Sequence, residues 1–219
     1  MSHISEKLGM TVTEASRHLQ RLSEAKMIQK DVDGSYGLTP FGNLTLSLFS
    51  GICFTSKNRQ YFLEHDLSRL PFEFVERIGE LSSASVGTND IMMNFRLSEI
   101  ILEKASEYIW IMADQILTSS VPIIGKKVNS GIEFRFIFPE NLIPPPGTPI
   151  VPGSQRRKLP KVEEVILITE KEVMFSFPDL GGRQDYAYLT GKDIKSHKWC
   201  KDLFLHRWEK ATPAPTPVK

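Results

Sequence analysis

Two arginines and a glutamine lie close together near the N-terminus, as Arg17, Gln20 and Arg21. A guanidinium presents two parallel donors that match O6 and N7 of guanine, and a glutamine amide matches N6 and N7 of adenine. Spacings of three and four residues place these side chains on one face of a helix. We expect this face to contact DNA, an ordinary solvated helix face being the alternative. Its polar residues are Thr13, Ser16, Arg17, Gln20 and Arg21.

The helix that must hold these residues is predicted over about 13–26. Its apolar residues recur every three or four positions, which predicts one buried stripe. Thr11 or Thr13 can cap its first amides. A shorter helix is predicted before it, over 4–9, and a glycine ends that helix. The predicted buried stripe consists of Val12, Ala15, Leu19 and Leu22.

A hairpin is predicted after the second helix, because Asp33-Gly34 separates two short runs that contain apolar residues. Thr39-Pro40 then predicts the N-cap and first residue of a third helix. Lys30 and Tyr36 flank the hairpin tip, and we expect them to contact the DNA backbone rather than the bases. The order of helix, turn, helix, two-stranded wing and helix predicts a winged helix-turn-helix in residues 1–45.

A winged helix normally has one more helix ahead of the turn motif. Here only three residues precede the first predicted helix. We therefore expect either that this helix is missing from the chain or that another element covers the apolar faces it would leave exposed.

The remaining chain predicts a helical connector over 46–85 and an α/β domain with a mixed sheet over 86–210. Residues 139–160 are rich in proline and are predicted to form a long irregular loop. Residues 211–219 are predicted to be a disordered tail. The predicted elements of the domain are a helix capped by Asp90, strands at 108–113, 132–138, 162–169 and 173–177, and a helix over 194–210 capped by Asp193.

Polar side chains follow the predicted strands, where open α/β sheets usually bind small molecules. We expect a small polar or anionic effector there, with Arg183 as its chief cationic contact. The alternative is that Asp179, Arg183 and Asp185 form a structural ion-pair network. Trp110 or Tyr188 would supply an apolar wall. The predicted effector site consists of Trp110, Asp114, Gln115, Asp179, Arg183, Asp185 and Tyr186.

Two parts of the sequence also resemble known regulators. The segment SRHLQRLSEAKMI…YGLTPFG resembles the recognition helix and wing of archaeal winged-helix regulators. The segments YIWIMADQIL, IEFRFIFPE, FSFPDLGGRQDY and HKWCKDLFLHRWEKA resemble the effector domain of methanogenesis regulatory proteins. The resemblance implies a transcription regulator that senses an effector. More remotely, it implies a sheet similar to half of a phospholipase-D-like fold.

Other features argue against several classes of protein. A phospholipase-D-like hydrolase needs His-x-Lys, whereas His197 is followed directly by Lys198. The sequence has no Gly-x-Ser-x-Gly, no phosphate-binding glycine loop and no His/Cys cluster with metal-ligand spacing. We expect no catalytic activity, no metal and no cofactor. We also expect no membrane span, a cytoplasmic location and buried free thiols at Cys53 and Cys200.

These observations predict a sequence-specific DNA-binding transcriptional regulator, with double-stranded DNA as its partner. One alternative is an interaction adaptor that no longer binds DNA, since the net charge is only +1. The other alternative is a phospholipase-D-like hydrolase. We expect a homodimer that forms through the connector at 41–85 or the last helix. The apolar residues that favour dimerisation are Leu46, Leu48, Phe49, Ile52 and Phe54.

Overall fold

The computed structural model describes residues 2–87, 90–149, 152 and 155–214. Its N-terminal elements follow the predicted order. Helices α1 (Ser2–Leu8) and α2 (Val12–Glu24) are followed by an antiparallel hairpin and a long third helix. The hairpin consists of β1 (Ile28–Lys30) and β2 (Tyr36–Leu38), and the third helix is α3 (Pro40–Lys57).

Local chemistry fixes where these elements begin. The Thr11 hydroxyl accepts a hydrogen bond from the Glu14 amide at 3.2 Å, and the Glu14 carboxylate accepts one from the Thr11 amide at 2.8 Å. This reciprocal capping box satisfies two amides that the first helical turn would otherwise leave unpaired. Thr11, not Thr13, is therefore the N-cap of α2. Thr39 caps α3 in a similar way, by accepting from the Gly42 amide at 3.0 Å.

The connector continues from α3 through short helices. These are α4 (Arg59–Glu64), α5 (Phe72–Glu76) and a 3-10 helix (Ile78–Leu81). Phe74, Ile78 and Leu81 are buried. Gly51 of α3 crosses the 3-10 helix at Gly79, where a side chain on Gly79 would lie 2.7 Å from the Gly51 amide nitrogen. Two glycines therefore allow these helices to touch backbone to backbone.

Eight strands lie in the described C-terminal part: β3 (Ser85–Val86), β4 (Tyr108–Met112), β5 (Glu133–Pro139), β6 (Arg156–Leu159), β7 (Val165–Thr169), β8 (Val173–Ser176), β9 (Leu189–Gly191) and β10 (Thr212–Pro213). They form one mixed sheet in the order β10-β6-β5-β4-β7-β8-β9-β3. Strands β4, β5 and β6 are parallel, and the other pairs are antiparallel.

Helices cover both faces of this sheet. The connector and α8 (Ile194–Lys210) form one core, in which Phe54, Phe74 and the fully buried Trp199 meet. Helices α6 (Ile91–Lys104) and α7 (Val121–Asn129) cover the other face over the aromatic residues of β5. The combination of helices with one large mixed sheet is as predicted. Asp90 and Asp193 cap α6 and α8 through hydrogen bonds to backbone amides, also as predicted.

Two segments predicted to be irregular or disordered are strands. Residues 156–159, placed in the long loop, form β6 beside β5, and the guanidinium groups of Arg156 and Arg157 lie against aromatic rings. The Arg157 guanidinium lies 4.8 Å from the Trp208 ring centroid and donates to the Trp208 carbonyl at 2.7 Å. The predicted tail is ordered over 211–214, where β10 pairs with β6 and Ala214 is buried. The rest of that tail lies outside the described residues.

Two burial predictions are wrong. In the predicted stripe of α2, Ala15 is buried and Leu19 is partly buried, whereas Val12 and Leu22 are exposed. Only α1 and β1 pack against this helix closely, so the small N-terminal part cannot cover the whole stripe. Cys53 is likewise exposed, because it lies on a surface of α3 that no other described element covers. Cys200 is buried, as predicted, and burial raises the pKa of its thiol.

Candidate nucleic-acid interface and ligand cavity

The polar face predicted on α2 is open to solvent. Thr13, Ser16, Arg17, Gln20 and Arg21 are all exposed. The Gln20 amide donates to the Glu24 carboxylate at 2.9 Å, one turn along the helix. Among the residues that the structure describes, neither Arg17 nor Arg21 has an ion-pair partner, so both guanidinium groups are available to an external anion.

The predicted wing follows α2 in the chain and is a regular antiparallel hairpin. Lys30 pairs with Tyr36 across the two strands, and the Lys30 ammonium lies 6.0 Å from the Tyr36 ring centroid. At the tip, Gly34 has a φ of +84°, and the Asp33 carboxylate accepts from the Ser35 amide at 2.9 Å. These contacts fix the tip locally, and both Lys30 and Tyr36 remain exposed beside it.

The base of the wing is locked onto α3. The Thr39 amide donates to the Met27 carbonyl at 3.0 Å, and the Thr39 hydroxyl donates to the Lys26 carbonyl at 2.6 Å. Gly42 packs so closely that a Cβ atom there would lie 1.9 Å from the Met27 carbonyl oxygen. The end of α2, the wing and the start of α3 therefore form one packed junction.

A cavity of about 280 Å³ lies between the sheet and the helices α6 and α7. The loop that follows β5, including Leu142 and Thr148, closes one side. Most of its wall is hydrocarbon and aromatic, as in typical small-molecule sites. The aromatic residues that line it are Phe134, Phe136, Phe138, Tyr186 and Tyr188, and the charged residues that line it are Asp114 and Arg156.

Three of the predicted effector-site residues meet at this cavity. The Tyr186 hydroxyl donates to the Asp114 carboxylate at 3.1 Å, and the Gln115 amide donates to the same hydroxyl. Burial raises the pKa of Asp114, and burial together with the neighbouring Asp114 charge raises that of Tyr186. Tyr186 also has a φ of +59°, a left-handed backbone that bulky residues rarely adopt.

The structure places Trp110 on the opposite face of the sheet. There its ring lies 5.2 Å from the Phe204 ring and 4.4 Å from the Arg135 guanidinium. Side chains alternate along β4, but this alternation ends at Met112, and the chain bends at Asp114 and Gln115. Trp110 and Asp114 therefore lie on different faces despite their even spacing, and the prediction that they share a site is wrong.

Asp179, Arg183 and Asp185 also lie away from the cavity. Arg183 is 85% exposed and its guanidinium lies 3.5 Å from the Asp179 carboxylate, within a tight turn. Asp185 instead lies 3.1 Å from Nε2 of the buried His65, and the His65 ring stacks on Tyr61. These residues hold the turn against the connector, which agrees with the structural alternative and contradicts Arg183 as a cation of the cavity.

Sequence reasoning missed Arg156, the cation that does line the cavity. It lies in the cluster Arg156-Arg157-Lys158, within the segment predicted to be a long irregular loop. Arg156 and Arg157 point to opposite faces of the sheet, because side chains alternate along a strand. The Arg156 guanidinium lies 5.1 Å from the Phe138 ring centroid, and that of Arg157 lies over the Trp208 ring. Only the pairing of β6 with β5 makes this visible.

Within the described ranges, no group of histidine, cysteine and carboxylate side chains is arranged to hold a metal ion. Likewise, no helix of those ranges is both long and apolar enough to cross a bilayer.

Comparison with known proteins gives only distant likenesses. No family model matches the chain, and no curated protein matches it. Among solved structures, TrmBL2, an archaeal chromatin protein, is 18% identical with a TM-score of 0.47, over 90% of this chain and 80% of that one. NucT from Helicobacter pylori is 13% identical with a TM-score of 0.45, over 60% of this chain and 98% of that one.

Nuc from Salmonella typhimurium, a phospholipase D family member, is 11% identical with a TM-score of 0.45, over 61% of this chain and 99% of that one. At these scores and identities, the three likenesses carry no argument about what this chain does.

Proposed function

We propose that the chain is a DNA-binding transcriptional regulator in which residues 2–45 act as a winged helix-turn-helix. The observation that carries the proposal is the exposed polar face of α2, where Arg17 and Arg21 lack ion pairs among the described residues. In such motifs the second helix of the turn lies in the major groove. The wing follows α2 directly, and its tip presents Lys30 and Tyr36 to a neighbouring stretch of DNA backbone.

Local charge, and not the field of the whole molecule, must supply the affinity. The net charge of +1 cannot steer the chain to a polyanion. Glu14 and Glu24 lie on the same helix, but the Glu14 carboxylate is engaged with Thr11 and that of Glu24 with Gln20. Both carboxylates keep their negative charge, but neither pairs with Arg17 or Arg21, so the arginines can act through short, direct contacts and not through long-range attraction.

We further propose that the C-terminal part binds an effector in the cavity and acts by binding, without catalysis. The five histidines include none in a His-x-Lys motif. His65 is buried and bonded to Asp185 and to the Tyr61 carbonyl, so it is not placed to attack a substrate. The cavity offers an apolar wall with few polar groups, which suits recognition of a ligand.

DNA binding is tested by fluorescence anisotropy of the full chain with duplexes selected from a randomised library. Arg17→Ala and Arg21→Ala are measured over a series of salt concentrations. Loss of a phosphate contact should reduce the slope of log affinity against log salt by about 0.9. Loss of a base contact should reduce affinity for the selected site by about 1–3 kcal/mol and relax sequence preference.

Arg96→Ala is the matched control, since Arg96 is an exposed arginine on α6. We expect its affinity and salt slope to equal those of the unmodified chain. Selection that enriches no duplex, or arginine variants that behave as Arg96→Ala does, would contradict the proposal and favour the adaptor alternative.

A further inference from the structure

Arg156 is a cation with no ion-pair partner among the described residues, in a largely apolar cavity. Its side chain is partly buried and lies over the Phe138 ring. Among the described residues, its guanidinium makes no ion pair and no hydrogen bond, and Asp114 on the same wall is not its partner. Burial lowers the pKa of Arg156. Because removing a charge from water without a partner is unfavourable, this guanidinium suits an anionic group brought by a ligand.

The opposite charge in the cavity limits what that ligand can be. The Asp114 carboxylate already accepts from Tyr186 and repels any additional negative charge. A single guanidinium balances one negative charge through two parallel hydrogen bonds, as it does with a carboxylate. A phosphate monoester carries more charge than Arg156 alone can neutralise in these surroundings.

The walls and the volume describe the rest of the ligand. Phe134, Phe136 and Phe138 present their rings from one strand, and Leu102 and Ile124 lie on the helices opposite them. About 280 Å³ is close to the lower end, roughly 300 Å³, of ordinary small-molecule pockets. The space therefore suits a compact apolar body better than a long acyl chain or a nucleotide.

The strained backbone of Tyr186 is an independent observation at the same place. A left-handed tyrosine persists only where its surroundings enforce it, and such residues cluster at ligand sites. The Asn94 amide donates to the Tyr186 carbonyl at 3.0 Å, and the Asp114 carboxylate holds its hydroxyl. These contacts keep the Tyr186 ring in the cavity wall.

We propose that this cavity binds a small monocarboxylic acid with an apolar body, whose carboxylate pairs with Arg156. Its hydrocarbon or aromatic part packs on the phenylalanine rings of β5. The claim that this ligand is an effector rests on the proposed function. The claim that the cavity binds a ligand does not.

The test is isothermal titration calorimetry of the full chain with octanoate, 4-phenylbutanoate, octanamide and octyl phosphate. At least one carboxylate should bind, and octanamide should bind at least tenfold more weakly than octanoate. Arg156→Gln should weaken carboxylate binding about ten- to hundredfold, which corresponds to a hydrogen bond to a charged group. The affinity of the Arg156→Gln variant for octanamide should equal that of the unmodified chain.

Two variants keep the result interpretable. Arg156→Lys retains the charge and should bind carboxylates more tightly than Arg156→Gln, even if both lose some stability. Arg183→Gln removes an exposed arginine outside the cavity and should bind as the unmodified chain does. Circular dichroism establishes that each variant is folded.

Absence of carboxylate binding at millimolar concentration would overturn the inference, as would equal affinity for octanoate and octanamide. Octyl phosphate that binds more tightly than octanoate would overturn the choice of carboxylate. Binding that depends on Arg156 in a chain that binds no duplex would uphold the cavity and reject the proposed regulator. The two proposals can therefore fail separately.

Discussion

Single side chains decide how the sheet is tied to its helices. The Glu170 carboxylate, at the turn between β7 and β8, accepts from the Ser106 amide at 2.9 Å and from the Ser106 hydroxyl at 2.8 Å. It also accepts from the Glu107 amide at 3.3 Å. Partial burial alone would raise the pKa of Glu170, but these hydrogen bonds lower it to about 2. Glu170 thereby joins the end of α6 to the sheet.

This contact predicts a defined loss of stability in acid. The folded pKa of Glu170, about 2, lies below the ordinary value of 4.5. Its contribution is therefore fully present above about pH 4.5 and is lost as the pH falls toward 2. We expect Glu170→Gln to lower the free energy of unfolding at pH 7 by about 2–3 kcal/mol. The difference from the unmodified chain should shrink steadily in acid.

Urea denaturation at a series of pH values measures this difference. Glu76→Gln is the control, because Glu76 is an exposed glutamate of α5 for which the described part of the chain offers no polar partner. A pH-independent difference for Glu170→Gln would contradict the assignment.

At the scale of the element, close backbone packing at Gly42 holds the wing on α3. We expect Gly42→Ala to destabilise the N-terminal part by about 1–3 kcal/mol, because the new methyl group would overlap the Met27 carbonyl oxygen. This steric effect should exceed the gain of about 1 kcal/mol that alanine usually brings to a helix. Hydrogen exchange at the Thr39 and Gly42 amides should increase, and duplex affinity should fall.

Gly125→Ala supplies the matched control. Gly125 also lies within a helix, α7, but a Cβ atom there would meet no atom within 4 Å. This variant should therefore gain up to about 1 kcal/mol in the free energy of unfolding. If Gly42→Ala gained the same amount, the close contact at the wing base would be refuted.

Elements whose ends depend on nearby residues could be predicted from sequence. The caps at Thr39, Asp90 and Asp193 act within a few residues, so the starts of α3, α6 and α8 follow from local chemistry. Strand β6 could not be predicted in this way, because its cationic side chains are accommodated by β5 and by Trp208. Arg156 was not predicted to line the site because its position also depends on the pairing of β6 with β5.

The site itself was predictable in part. Asp114, Gln115 and Tyr186 follow strands and meet at the cavity, as the rule for open sheets implies. Trp110 and Arg183 do not reach it, because strand alternation and turn geometry decide where their side chains point. On α2, exposure of the polar residues follows from helical spacing. Its incomplete apolar burial depends on how few residues pack around that helix.

At the scale of the whole molecule, α3 has an apolar surface that no other described part of the same chain covers. Large apolar side chains on such a surface mark an interaction site more often than a solvated one. We expect the chain to form a homodimer through it, with a mass twice the 24.9 kDa of one chain. The exposed residues are Leu44, Leu46, Leu48, Phe49 and Ile52. Phe54, predicted with them, is buried in the core instead.

Sedimentation equilibrium tests this dimer. The double variant Leu48→Glu with Ile52→Glu should be a monomer at concentrations where the unmodified chain is a dimer. Ile194→Glu changes another exposed apolar residue, at the start of α8, and should leave the dimer intact. An unmodified chain that remains monomeric with and without DNA would reject dimerisation.

Helix α3 is one continuous helix that connects the wing to the sheet core, so it could transmit a movement between them as a lever does. The wing is attached to its first turn through Thr39 and Gly42, and Phe54 near its other end packs in the sheet core. Between these two ends, α3 crosses the 3-10 helix at Gly51 and Gly79, where it could pivot. From Pro40 to Gly51, at 1.5 Å per residue, the arm is roughly 16 Å long. A tilt of about 10° at this crossing displaces the wing by about 3 Å, close to the spacing of roughly 3.4 Å between successive base pairs. In the proposed regulator, a small tilt of α3 at this crossing would therefore move the wing by about one base-pair step.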